Sequence, residues 1–197
     1  MDIRGKKVGF AVTGSYCTLD NVLPVLSTLV EAGADIVPII SEAVTNYDTR
    51  FGSADSWINK IKDLTQNPII DSIIKAEPIG PEKLMDILIV APCTGNAMAK
   101  IANGIIDETV VMAAKAQLRN ERPVLLAIAT NDGLGINAKN IGILLNIKNI
   151  YFVPFGQDNP LRKNNSLISR FDLIHKAAEY ALDSKQIQPV LIEYRGL

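Results

Sequence analysis

The sequence predicts an α/β fold in which a doubly wound parallel sheet lies between two helical layers. Five short apolar runs predict buried strands, and these runs are nearly continuous in Val, Ile and Leu. Continuous apolar runs are typical of parallel strands that are covered on both faces. Segments with helical spacing separate the runs, and this alternation favours βαβ units with right-handed crossovers. The predicted architecture is therefore a three-layer α/β/α sandwich, Rossmann-like and of the flavodoxin type.

The elements alternate regularly along the chain. Strands are predicted at 8–12, 35–40, 86–91, 124–129 and 150–155, and helices at 18–32, 55–65, 95–102, 107–118, 137–145 and 169–182. Gly33 suits the C-terminal cap of the first helix, and Ser169 is expected to be the N-cap of the last one. The polar stretch 156–166 follows the last strand and is expected to form a loop or flap.

Length and composition favour one globular domain over residues 1–197. Hydrophobic residues make up 48% of the chain and charged residues 21%, and the net charge is −1. A nearly neutral chain has no general field that would gather nucleic acid or anionic membrane. No apolar run approaches the roughly 18 residues of a membrane span, so we expect a cytoplasmic protein. Two cysteines and one histidine are too few for a disulfide framework or a zinc cage, and no metal site is expected.

The candidate site residues follow the predicted strands, because ligands in such sheets bind beyond the carboxyl ends of the strands. The residues singled out at these ends are Gly14, Ser15, Ser41, Pro92, Cys93, Thr94, Gly95, Asn96, Ala129, Thr130 and Asn131. Most are small, hydroxylated or amide-bearing, and several lead into helix N-termini, which suits a phosphate. In any single loop, their interpretation as ordinary turn and cap residues is favoured. Several strand ends together favour a phosphate-bearing ligand.

The missing motifs narrow the class of ligand. The sequence has neither the glycine fingerprint of dinucleotide-binding folds nor a Walker lysine motif, so a mononucleotide fits better than NAD or ATP. Cys17 and Cys93 fall near the predicted crevice. No histidine lies near either of them in sequence, which favours their interpretation as small buried hydrophobes.

Residues 91–107 combine a Pro-Cys-Thr-Gly-Asn loop with a helix that reads Ile-Ala-Asn-Gly-Ile. This segment resembles the signature of the flavoprotein family that contains phosphopantothenoylcysteine decarboxylase, the lantibiotic cysteine decarboxylases and the flavin prenyltransferases. Gly14 and Ser15 match the family's first phosphate loop, Ser41 its hydroxyl after the second strand, and Asn131 its asparagine after the fourth. The resemblance implies an FMN site and an oligomeric chain.

Residues 41–47 and 129–135 look most like one branch of this family, the smaller subunit of a two-subunit enzyme in spore-forming bacteria. That resemblance implies the oxidation of a dihydropyridine-type dicarboxylate to its aromatic form, with NADP or NAD on the larger subunit. It also implies that stretch 156–166 covers the substrate, and we expect Arg162, Lys163 and Asn164 to meet its carboxylates, although these side chains could equally be solvated loop groups.

The sequence also departs from the decarboxylases of the family. They carry a histidine shortly before the third strand, where residues 77–81 have none, and Met-Asn after the fourth strand, where this chain has Thr130 and Asn131. The decarboxylase machinery is therefore expected to be absent. Two alternatives remain open, a flavin-dependent decarboxylase and a non-catalytic partner that binds and positions the larger subunit.

Overall fold

A seven-stranded sheet forms the centre of the structure, a computed structural model that describes residues 1–193. The strands are β1 (Lys7–Val12), β2 (Asp35–Ile40), β3 (Ile87–Cys93), β4 (Val124–Thr130), β5 (Ile150–Phe152), β6 (Phe155–Asn159) and β7 (Lys163–Ser169). The strand order is β2-β1-β3-β4, and β1 to β5 pair in parallel. Beyond Leu126, β4 leaves β5 and pairs with β7, which is antiparallel to both β4 and β6. The predicted α/β class is confirmed.

Helices cover both faces of the sheet and bury two apolar clusters. They are α1 (Leu19–Glu31), α2 (Glu42–Asn46), α3 (Ala54–Thr65), α4 (Ile73–Ala76), α5 (Gly95–Asn103), α6 (Thr109–Arg119), α7 (Ala138–Leu145) and α8 (Ile174–Leu182). One cluster packs α1, α3 and α8 against the sheet, and the other packs α4 to α7 against the opposite face. The parallel strands are buried almost throughout, which explains their unbroken apolar sequences.

The stretch expected to be a loop or flap is instead an antiparallel hairpin, so that prediction was wrong. The hairpin consists of β6 and β7, and its turn is closed by the Arg162 N–H, which donates to the carbonyl of Asn159 at 3.2 Å. The first residues of β7 are exposed, and burial begins at Ser166. A strand that is largely solvated needs no apolar run, so the sequence pattern showed no strand there.

The last helix begins later than expected. Ser169 is the final residue of β7 and its hydroxyl donates to the carbonyl of Val153, so it is not a helix N-cap. A 3₁₀ turn at Phe171–Leu173 follows, and α8 begins at Ile174. The short helices α2 and α4 were also missed, since five or four residues are too few for a clear helical period.

Capping residues define the helix that faces the candidate site. The Thr94 hydroxyl is the N-cap of α5 and accepts a hydrogen bond from the Ala97 N–H at 3.2 Å. Gly104 ends the helix with φ +66°, a conformation that favours glycine. The N-terminus of α5 thus begins directly at the carboxyl end of β3. Among residues 1–193, no helix combines the length and apolar character that crossing a membrane would require.

Candidate functional site

A cavity of about 240 Å³ lies at the carboxyl ends of β1, β3 and β4, beside the start of β7. Its lining residues are Gly14, Ser15, Cys17, Thr18, Thr94, Gly95, Ala129, Thr130, Asn131, Asp158, Lys163, Ser166, Leu167 and Ile168. Eight of them were predicted from the sequence, seven as ligand-binding residues at strand ends and Lys163 as a substrate contact. Three separate loops therefore meet at one place, as the parallel topology requires.

The loop after β1 forms the first wall of the cavity. Gly14 lies so close to α2 that a Cβ atom there would stand 3.1 Å from the Ala43 side chain, which is tighter than an ordinary contact. The hydroxyl of Thr18 donates to the carbonyl of Ser15 at 2.7 Å and holds the turn. The half-buried Ser15 side chain is thereby kept at the edge of the cavity.

Thr13 ties the loop after β1 to the loop after β3. Its buried hydroxyl donates to the carbonyl of Pro92 at 2.6 Å and accepts from the N–H of Thr94 at 3.1 Å. One side chain thus satisfies two backbone groups next to the N-terminus of α5. This contact sets the distance between the first wall and the helix end.

The loop after β4 contributes the most connected polar group of the site. The Thr130 hydroxyl donates to Oδ1 of Asp132, and the side-chain amide of Asn137 donates to Oδ2 of Asp132 at 2.8 Å. The hydroxyl of Ser166 donates to the carbonyl of Thr130 at 3.3 Å and joins the loop to β7. Thr130 and Ser166 line the cavity, whereas Asp132 lies outside the lining and holds the Thr130 hydroxyl.

The β6–β7 hairpin supplies the charged wall of the cavity. Nζ of Lys163 donates to the Asp158 carboxylate at 2.9 Å, and this hydrogen bond raises the pKa of the lysine. Both residues line the cavity, so it carries one ion pair at its rim. Arg162 and Asn164 are exposed near the turn and do not line the cavity, so of the three predicted substrate contacts the structure places Lys163 at the cavity wall.

Four predicted residues lie outside the lining. Ser41 is buried, and its hydroxyl has no hydrogen-bond partner within the described residues, while its N–H donates to the Val12 carbonyl at 3.0 Å beside the end of β1. Pro92 is buried, and Asn96 is exposed on the first turn of α5. Cys93 is fully buried in the apolar core, and burial raises the pKa of its thiol to about 12, so it is inert at neutral pH.

Sequence reasoning missed two groups of site residues, one in the hairpin and one beside the predicted residues of the strand-end loops. Asp158, Ser166 and Leu167 belong to the hairpin, which lacked a strand signal. Thr13 and Asp132 flank predicted residues, and only their side-chain orientation reveals what they contact. Their polar character next to strand ends was the one available signal.

Comparisons with known proteins agree with this architecture. The model of the family described as Flavoprotein matches residues 1–172. The B subunit of dipicolinate synthase from Bacillus subtilis (strain 168) is 48% identical over 195 residues, which covers 98% of this chain and 98% of that protein. The coenzyme A biosynthesis bifunctional protein CoaBC of the same organism is 33% identical over 113 residues, 53% of this chain and 25% of its own.

Solved structures show the same arrangement. The crystal structure of the B subunit of dipicolinate synthase from Bacillus halodurans C is similar with a TM-score of 0.90 and 51% identity, covering 98% of this chain and 99% of that one. DmrB from Burkholderia xenovorans, solved in complex with FMN and described as a cubic protein cage for redox transfer, has a TM-score of 0.67 at 16% identity, covering 91% and 96% of the two chains. At that identity the likeness concerns the fold alone.

Proposed function

The chain belongs to the flavoprotein family, and from this membership we propose that it is the smaller, B subunit of a dipicolinate synthase. In this role it takes part in the oxidation of a dihydrodipicolinate-type precursor to dipicolinate during sporulation. The observation that carries the proposal is the 48% identity to the B. subtilis protein, which extends over nearly the full length of both chains. The cavity at the carboxyl end of the sheet supports a ligand site in the position that such a role requires.

The residues present fit the phosphate end of an FMN group. The Gly14–Ser15 turn and the first turn of α5 face the same cavity, and a helix N-terminus favours an anion. The buried Ser41 hydroxyl, which has no partner in the part of the chain that the structure describes, lies one residue beyond β2 at the same end of the sheet. When bound, the flavin supplies a two-electron acceptor for the oxidation.

Lys163 is the residue of this chain best placed to meet a dicarboxylate. It lines the cavity, and a substrate carboxylate would compete for it with Asp158. The decarboxylase alternative has less support, because His175, the chain's one histidine, lies on α8 with Nε2 3.9 Å from the Glu179 carboxylate and does not line the cavity. No histidine is therefore available there for proton transfer.

We also propose that further chains complete the site. A volume of 240 Å³ is below the roughly 300–1,000 Å³ of pockets that enclose drug-sized ligands, so one chain holds only part of an FMN-sized group. A second copy of this chain is our candidate for the missing wall. The larger, A subunit of dipicolinate synthase, with NADP or NAD, is the proposed catalytic partner.

Absorbance and FMN titration test the proposal. We expect the purified chain to bind FMN and to show a band near roughly 450 nm, since the isoalloxazine ring carries the colour. The variant S15D should lose FMN because a carboxylate at the cavity wall repels phosphate, whereas T28D, with the same charge on the exposed side of α1, should keep it. A chain that binds no flavin yet activates the larger subunit would favour the non-catalytic partner instead.

A further inference from the structure

A series of three hydrogen-bonded side-chain amides leads from α5 toward the cavity wall and ends at the carboxylate of Asp132. The Asn103 amide donates to Oδ1 of Asn140 at 3.3 Å, and the Asn140 amide donates to Oδ1 of Asn137 at 2.7 Å. Asn137 in turn donates to Oδ2 of Asp132 at 2.8 Å. Because the oxygen of Asn137 is already occupied, its NH₂ group must face Asp132. The NH₂ group of every amide in this series therefore points toward the carboxylate.

This polarity fixes the direction of the hydrogen bond at the cavity wall. An ionised carboxylate accepts hydrogen bonds and donates none, so the proton of the Thr130 hydroxyl is directed to Oδ1 of Asp132. The Asp132 N–H approaches the same hydroxyl oxygen at 3.4 Å. A hydroxyl has one proton and two lone pairs. With its proton directed to Asp132 and one lone pair facing the Asp132 N–H, the Thr130 hydroxyl has one lone pair left, so it can accept a hydrogen bond from a ligand in the cavity.

The fold leaves room for this network at one position. A Cβ atom on Gly95 would stand 2.7 Å from both Nδ2 of Asn137 and Oγ1 of Thr130, and 2.9 Å from Oδ1 of Asp132. The absence of a side chain at Gly95 therefore lets all three groups approach the first turn of α5. The positive end of that helix also favours a carboxylate at this place.

We propose that Asp132 is a positioning residue that holds the Thr130 hydroxyl as a hydrogen-bond acceptor, and that the bound ligand presents an N–H or O–H donor to it. The inference rests on the proposed function, which puts a flavin and a ring substrate in this cavity. A flavin ring N–H or ribityl hydroxyl and a dihydropyridine ring N–H share the required chemistry. An anionic oxygen placed directly against the Thr130 hydroxyl would be disfavoured, because it would face the lone pairs of that oxygen.

Four variants test the inference through FMN affinity. T130V removes the acceptor with little change of shape, T130S keeps it, and D132N replaces the carboxylate by an amide that can donate to the hydroxyl and release its proton. We expect T130V and D132N each to weaken FMN about tenfold, equivalent to about 1.4 kcal/mol, with T130S close to the wild type. The double variant T130V/D132N should be no weaker than T130V, because Asp132 acts through Thr130.

A second measurement, of KM, shows whether the hydrogen-bond donor belongs to the flavin or to the substrate. If the donor belongs to the substrate, FMN affinity stays constant and KM in the reconstituted two-subunit enzyme rises by the same factor in T130V and D132N. T28V and D63N, at exposed positions on α1 and α3, are the matched controls and should behave as the wild type. Effects of T130V and D132N that multiply in the double variant, or no effect on either quantity, would overturn the inference.

Measurements on the ligand-free chain separate this inference from the proposed function. Chemical unfolding of the wild type, the two single variants and the double variant gives the coupling between Thr130 and Asp132 without any flavin. We expect a nonzero coupling, and its absence overturns the inference even if FMN binds. A wild-type chain that binds no FMN contradicts the proposed flavin site instead.

Discussion

Neighbouring cations at the β6–β7 turn differ in what they contact. Lys163 lines the cavity with a side chain that is 54% exposed, whereas Arg162 does not line it. We predict that K163A raises KM for the dicarboxylate about tenfold in the reconstituted enzyme. A charge-assisted hydrogen bond contributes about 1.5–3 kcal/mol, and partial exposure favours the lower end.

R162A is the matched control for this prediction, because it removes a cation from the same turn. Its kinetic constants should equal those of the wild type, and the larger subunit should bind both variants normally. Equal effects of K163A and R162A would mean that the turn acts through its general charge. A loss of binding to the larger subunit would assign the turn to the interface with that partner.

Glu108 is a buried carboxylate outside the cavity, next to the N-terminus of α6. Burial raises the pKa of its carboxyl; Lys100 opposes the shift, while Asp107 and Glu42 add to it. The folded state therefore binds a proton more tightly than the unfolded state, and stability is lost as the pH rises through the folded pKa. We predict that E108Q is more stable than the wild type above that pKa.

The pH profile of unfolding checks this prediction. Below the ordinary value of 4.5 the wild type and E108Q should unfold with similar free energies, and the gap should widen as the pH rises through the folded pKa. E82Q, at an exposed position, should show no such widening. The opposite slope would mean that the dipole of α6 stabilises the carboxylate more than burial destabilises it.

Single positions were predictable from the sequence where backbone topology alone determines their place. Gly14 and Thr94 follow parallel strands and Thr130 ends one, so they line the cavity whatever their side chains contact. Cys93 lies in the core because β3 continues to that residue, which removes it from the candidate site and agrees with its interpretation as a small buried hydrophobe. The role of Asp132 depends on the rotamers of three neighbours, which no local pattern encodes.

Among the secondary-structure elements, the strands that are buried on both faces could be predicted from the sequence. The runs in β1 to β4 are apolar because helices cover them, and their predicted ranges differ from the observed ones by at most two residues at either end. The exposed residues of β7 carry no such pattern. The hairpin is therefore recognised from the pairing of β7 with β6 and with β4, which the sequence pattern does not show.

The junction between the β1 and β3 loops yields a prediction about stability. T13V would leave the Pro92 carbonyl and the Thr94 N–H without their shared partner in a buried place. Leaving a buried polar group unsatisfied costs about 1–3 kcal/mol, so T13V should lower the unfolding free energy by that amount. Denaturant unfolding of the ligand-free chain measures the loss. T13S, which keeps the hydroxyl, should recover most of it, and an equal loss in T13S would mean that the hydroxyl does not account for the stability of this junction.

For the molecule as a whole, an apolar groove toward the C-terminal end of α5 suits a contact between copies. It lies between α5 and α6, has a volume of about 330 Å³, and is lined by residues that include Ile101, Val111 and Leu118. Ile105 and Ile106 remain 47% and 37% exposed at its edge. Contiguous exposed apolar surface marks interaction sites, and the cavity of one chain, at about 240 Å³, is smaller than the pockets that usually enclose drug-sized ligands.

We therefore predict that I106D breaks self-association and weakens FMN binding together. A carboxylate in the groove would have to be desolvated by the second copy, which is costly. Light scattering coupled to size exclusion should show a smaller species, and FMN titration should show a weaker complex that recovers at higher protein concentration. I74D is the matched control, because Ile74 is 84% exposed on α4 and lies outside the groove. If I106D dissociates the assembly and FMN still binds with wild-type affinity, the second copy does not complete the site.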